Sequence, residues 1–140
     1  MHYYSKLLNP VSRTLISAIF LISGVGKVFA FEQTLSLMST VGFPLPYLFL
    51  IAAIVIEVVC GLFVIVGLYT RISAAFLILF VVIATIMFHL RLTGDMAADQ
   101  NQIAHTLKNL AIIGRLLKFV IEGGGYASID WWREWKEVVV

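Results

Sequence analysis

Glu57 is the one charge in an apolar stretch that runs from about Tyr47 to Tyr69. A carboxylate in such a setting pairs with a cation or exchanges a proton with a ligand. The cations on other apolar stretches are Lys27, Lys108, Arg115 and, near an end, Lys118, and His89 and Asn109 add hydrogen-bond donors near a stretch end. A benzoquinone-type head needs donors to its two oxygens and a route for protons. Lys27, His89, Lys108 and Asn109 supply the donors, and Glu57 the relay. Each residue also has a plainer role. Glu57 serves equally as half of an ion pair that fixes helix register. Lys27 serves as an end residue that snorkels to the surface, His89 as an interfacial histidine, and Arg115 and Lys118 as headgroup contacts.

These side chains need elements that hold them at one depth. Four apolar segments do so, at about 14–31, 47–69, 72–90 and 103–121, each near the roughly 20 residues that cross a bilayer. The second has fifteen Leu, Ile, Phe or Val residues, worth about −4.5 to −9 kcal/mol of insertion, against about +3 for one acid. The fourth has ten, worth about −3 to −6 kcal/mol, set against Lys108, Arg115 and Lys118. It spans only if neighbouring helices receive its charges or its lysines snorkel. At about 1.5 Å per residue, Glu57 lies about 16 Å beyond Pro46, close to the midplane, and Arg115 reaches a similar depth from the opposite entry. Ala53, Glu57 and Gly61 share a face of the second segment. Ser17, Phe20, Gly24 and Lys27 share one of the first, and His105, Lys108, Ile112 and Arg115 one of the fourth. The fold predicted is all-α: a transmembrane four-helix bundle forming a single integral membrane domain over residues 1–140.

The connections fit that bundle. Thr70-Arg71 reads as a tight turn, and Arg91–Gln102 as a long polar loop. Phe31, Leu35, Met38 and Val41 recur at helical spacing before Gly42 and Pro44, which predicts a short surface helix between spans 1 and 2. Residues 123–140 form an amphipathic tail, with Trp131, Trp132 and Trp135 among charges suited to the headgroup layer. The first span ends without a small-residue cleavage site and reads as a retained anchor. Lys6, Arg13, Arg71, Lys118, Arg133 and Lys136 fall on the side of the termini, against Lys27, Arg91 and Lys108 on the other. This predicts cytoplasmic termini.

Composition excludes several classes of function. The chain is 61% hydrophobic and 13% charged, about half the charge a water-exposed domain carries, so its partner is the lipid bilayer. A net charge of +2 does not suit nucleic acid. Cys60 is the single cysteine, which removes an internal disulfide, a CxxC pair and a cysteine-ligated cluster. No GxGxxG occurs, and His89 with His105 is too sparse for a metal site, so the metal expectation is none. The chain is therefore not expected to catalyse electron transfer alone.

The ordered set Arg13, Phe20, Gly24, Lys27, Gly42-Phe43-Pro44, Glu57-x-x-x-Gly61, Gly67-Leu68-Tyr69-Thr70-Arg71, His89, Lys108-Asn109-Leu110-Ala111 and Ser128-Ile129-Asp130 resembles the DoxX family of small four-span bacterial inner-membrane proteins. The resemblance runs from about Arg13 to Asp130. It implies a multi-pass protein of the bacterial inner membrane whose polar positions are Lys27, Glu57, Arg71, His89, Lys108 and Asn109. It implies a subunit of a membrane redox complex that offers a quinone or quinol site without a covalent cofactor, with a partner redox protein or a second copy of the chain. Arg115 and Lys118 depart from the family, which has small or apolar residues there. A non-catalytic membrane anchor or assembly partner, and a small-molecule carrier, stay open beside the redox subunit.

Overall fold

The computed structural model describes residues 2–89 and 94–139, and over these the chain is all-helical. Lipid explains the choice, because an apolar chain there must satisfy its backbone polar groups internally. The elements are α1 (His2–Phe29), α2 (Phe31–Thr40), α3 (Pro46–Val55), a π-helical turn (Ile56–Cys60), α4 (Gly61–Val66), α5 (Thr70–His89), α6 (Met96–Glu122) and α7 (Ile129–Val139). Three stretches are long and apolar enough to cross a membrane: Leu8–Phe29, Pro46–Val66 and Thr70–Phe88. Their outward faces carry exposed Leu15, Ile22, Val55, Leu62, Ile72 and Leu79, apolar surface that suits acyl chains and not water.

Local sequence sets where helices stop. Gly42, at φ +80°, ends α2 in a Schellman motif, with Phe43 N–H donating to Met38 O and Gly42 N–H to Ser39 O. Pro46 opens α3 at a position where its missing N–H costs no hydrogen bond. The second crossing is not one regular helix, because the π turn at Ile56–Cys60 interrupts it around Glu57. Asp95 caps α6 by accepting from Ala97 N–H at 3.1 Å.

The structure corrects four boundaries. The turn after the second crossing is Gly67-Leu68-Tyr69, with Gly67 at φ +72° and Tyr69 at φ +46°, and Thr70-Arg71 already belongs to α5. The polar stretch 91–102 is helical from Met96 onward, because polarity alone does not break a capped helix, whereas Arg91 lies outside the described residues. The first helix starts a dozen residues before the apolar run, and Pro10 is accommodated within it. The tail folds into a discrete helix, α7, from Ile129.

Two apolar clusters hold these elements together. Ile16 and Phe20 of α1, Val64 of α4, Leu77 of α5, and Leu116 and Phe119 of α6 form one. Met38 of α2, Phe43 and Leu50 form the other, with Phe31 and Phe88 packed against it. The most extensive helix pairing is between α5 and α6. Between the two clusters lies the polar group that lipid should exclude.

Candidate functional site

Glu57 is 2% exposed and sits in the π turn, against α1. Gly24 makes that approach feasible. A Cβ there would stand 2.9 Å from Val58 Cγ2 and 3.1 Å from Glu57 Cβ. Gly61 does the same one turn on, where a Cβ would meet Leu21 at 3.2 Å. The close approach lets Lys27 Nζ reach both carboxylate oxygens, at 3.0 and 2.8 Å, and Ser23 Oγ at 2.6 Å. Helical side chains lean toward the helix N-terminus, so Lys27 folds back toward Ser23 and into the protein instead of snorkelling out. The Phe80 ring lies 5.7 Å from the ammonium and adds a cation–π contact.

Beside this pair is a cavity of about 450 Å³. Its wall is mostly apolar, with Met38, Phe43, Phe49 and Phe88 among the lining residues. The polar part comes from Ser23, Lys27, Glu57, Thr34, Lys108 and Asn109. A cavity of this size with few polar groups suits a small lipid-soluble molecule. Asn109 is held by its Nδ2 donating to Thr85 Oγ1 at 2.9 Å, and Thr85 donates in turn to Val81 O at 2.7 Å. Lys108 is exposed and its Nζ lies 3.3 Å from His105 Nδ1.

Of the six residues the sequence puts forward, four thus border one cavity: Lys27, Glu57, Lys108 and Asn109. Arg115 does not join them. Its Nη2 hydrogen-bonds Ser12 Oγ of α1, and its guanidinium stacks on Phe119 at 4.6 Å. The depth argument placed it level with Glu57, but its direction along the helix takes it to Ser12, near the middle of α1 and well away from Lys27. His89 ends α5, and its side chain lies outside the described residues.

A second polar cluster was not anticipated. Arg13, counted from the sequence among the cations on the side of the termini, is 2% exposed, and its Nη2 donates to Ala127 O at 2.7 Å. Close by, Asp130 accepts from Tyr69 N–H, Thr70 N–H and Thr70 Oγ1–H at 2.8–2.9 Å, while its own N–H donates to Gly67 O at 2.8 Å. This clasp ties the start of α7 to the α4–α5 turn and to α1. The signal for it was the matched set of small and polar residues Gly67-x-x-Thr70 and Ser128-Ile129-Asp130, whose pairing sequence spacing does not reveal. A groove of about 470 Å³ runs beside it, between Arg71 and Arg133.

Comparison with known proteins agrees with this architecture. Residues 9–90 match the family model described as DoxX. The chain is 33% identical over 122 residues to the Escherichia coli inner membrane protein YphA, covering 86% of each chain. It is 32% identical over 120 residues to the E. coli inner membrane protein YqjF, covering 86% of this chain and 87% of that one. No solved structure matches. On its three apolar crossings and these similarities, the chain belongs to the DoxX family and is an inner membrane protein.

Proposed function

We propose that the protein is a membrane subunit of a redox complex that binds a quinone-type ring in the cavity beside Glu57. The observation that carries this reading is the buried carboxylate of Glu57 in the wall of a mostly apolar chamber that Lys108 and Asn109 also line. A planar ring with an oxygen at each end fills such a space. One oxygen meets Glu57, and the other meets Lys108 and Asn109. The apolar tail leaves among Met38, Phe43 and Phe88. A partner protein supplies or takes the electrons.

This reading includes α6 as a fourth span that closes a four-helix bundle, with α2 lying along the membrane surface. The charges of α6 are accommodated in that position. Arg115 turns inward to Ser12, Lys118 pairs with Glu122 at 3.6 Å, and Lys108 stays at the cavity mouth. Arg13 and Lys27 are both engaged inside the protein and drop out of the orientation count. Lys6, Arg71, Lys118, Arg133 and Lys136 remain on the side of the termini, against Arg91 and Lys108, which keeps the termini cytoplasmic.

The test is equilibrium binding of a benzoquinone with a ten-carbon tail, presented oxidised and reduced, to the protein in lipid nanodiscs with empty nanodiscs subtracted. Saturable binding of at least one form, weakened about 10-fold or more by Lys108→Met with Asn109→Leu, is the expected result. No saturable binding of either form would end the quinone reading.

A further inference from the structure

We infer that the groove between Arg71 and Arg133 seats the headgroup of a zwitterionic lipid, one that carries a phosphodiester and a primary ammonium. The inference concerns a different part of the molecule from the Glu57 cavity and does not depend on what fills that cavity.

The groove has a volume of about 470 Å³ and is lined by charges of both signs: Arg71 and Arg133, with Asp130, Glu122 and Glu134. Asp130 is committed to the clasp, where it accepts from Tyr69 N–H, Thr70 N–H and Thr70 Oγ1–H. The other charges stand on the groove without cancelling one another. Among the described residues no ion pair joins Arg71 to Glu122 or to Glu134, and Glu122 is paired instead with Lys118 at 3.6 Å. Arg71 lies against bare backbone, its Nε 3.5 Å from the place a Cβ on Gly123 would take. Arg133 is held on the same groove by a cation–π contact with Tyr69, 5.5 Å from the ring centroid.

This arrangement disfavours a simple ion. An anion drawn to the arginines meets Glu122 and Glu134, and a cation drawn to the glutamates meets the arginines. A ligand bearing both signs satisfies both sets. Its phosphate accepts from guanidinium, the geometry in which arginine binds phosphate best, and its ammonium donates to carboxylate. A primary ammonium is favoured over a trimethylated one. The latter has no N–H and relies on aromatic faces. Here Tyr69 is occupied by Arg133, and Trp131 packs against Tyr126 and Trp135 at 5.1 and 6.0 Å.

Position makes the ligand a lipid. The groove lies where the second crossing ends at Val66 and the third begins at Thr70, which is the boundary between acyl chains and water. Ile72 lines it and is 58% exposed, and Phe76 and Leu79 continue the same exposed apolar stripe along α5 into the membrane. A head held by the charges therefore has a surface for its chains directly below.

The experiment is native mass spectrometry of the delipidated full chain in neutral detergent, titrated separately with dioleoyl phosphatidylethanolamine, phosphatidylcholine and phosphatidylglycerol, and with glycerophosphoethanolamine, which has the head and no chains. Phosphatidylethanolamine should bind about 10-fold or more tighter than each of the others. Arg71→Gln should weaken phosphatidylethanolamine and phosphatidylglycerol alike, by about fivefold or more. Glu122→Gln with Glu134→Gln should bring the affinities of those two lipids within about threefold of each other. All three side chains are exposed, so these variants keep the fold. Equal binding of the three lipids, or tightest binding of phosphatidylglycerol, would overturn the inference. So would a phosphatidylethanolamine preference that survives both variants, since the lipid would then sit elsewhere. Glycerophosphoethanolamine binding as tightly as the lipid would overturn the assignment to a lipid.

Discussion

Near the middle of α1 Arg13 is packed solid, and at the C-terminal end of that helix Lys27 borders the cavity. Both are cations on an apolar helix, and both are held by polar partners from distant parts of the chain. Around Arg13 there is no room. A Cβ on Gly67 would fall 2.1 Å from Arg13 Nη1 and 2.2 Å from Ser128 Cβ, and one on Gly124 would fall 2.8 Å from Thr70 Oγ1. Around Lys27 the pair borders a chamber of about 450 Å³ whose wall holds further polar groups. Burying charge is costly at either end, so the difference lies in what the charge faces. The first arrangement locks α7 and the α4–α5 turn onto α1. The second leaves carboxylate lone pairs facing a volume that a molecule can enter. Between them lies an apolar layer of Phe20, Val64, Leu77 and Leu116. That layer predicts that the two ends respond to mutation independently.

The strongest way to break the comparison is Gly67→Ala. Gly67 has φ +72°, which costs a residue with a Cβ about 1–2 kcal/mol, and the clash with Arg13 and Ser128 adds about 1–3 more. A loss of about 2–5 kcal/mol is expected in detergent unfolding, a large share of the roughly 5–15 kcal/mol margin of folded proteins. A loss below about 1 kcal/mol would mean that the clasp gives way easily. Lys27→Met is expected to cost a similar 3–5 kcal/mol, because it strands Glu57 in the interior. Here the double variant Lys27→Met with Glu57→Leu is the sharper measurement. Apolar replacement of a buried pair is neutral or stabilising, so stability should return while ligand binding does not. If the double variant both folds and binds normally, the pair only fixes helix register.

Asp130→Asn is expected to cost about 1–3 kcal/mol, because one of the carboxylate oxygens that receive the Tyr69 and Thr70 hydrogens is replaced by a donor. Ligand binding beside Lys27 should be unchanged, as the apolar layer between the two regions requires. A parallel loss of binding would couple the two ends and undo the contrast between them.

What the sequence disclosed follows the physics of single segments. Three crossings and α2 were legible because hydropathy and helical spacing are local properties. Glu57 and Lys27 were legible because charges are conspicuous against so apolar a background. Orientation around the helix was less so. Arg115 shares a stripe with Lys108 and a depth with Glu57, yet it reaches Ser12, because inter-helix distance is not written in one helix. The π turn was not legible either. Its signature is a change in hydrogen-bond register among β-branched residues that fit a regular helix equally well. The burial of Arg13 was not legible for a related reason. A cation near the start of a span has the same local appearance whether it faces headgroups or a buried carbonyl, and Ala127 is 114 residues away in the chain.

The smallest effect distinguishes positioning from packing on the open side. Thr85 joins α5 to α6 by accepting from Asn109, and it also donates to Val81 O within its own helix. Thr85→Val keeps the volume and removes both bonds. Helix-to-helix hydrogen bonds in membranes contribute about 0.6 kcal/mol on average, so the stability change should be of that order. Affinity for the ring ligand carries more information. With Thr85 gone, the Asn109 amide loses its anchor but gains a second free hydrogen, so a ligand oxygen at that end still finds a donor. Binding should weaken less in Thr85→Val than in Asn109→Leu, where the donor itself is lost. Equal losses would show that Asn109 acts only by tying α6 to α5, and the cavity would then have Lys108 as its one donor at that end.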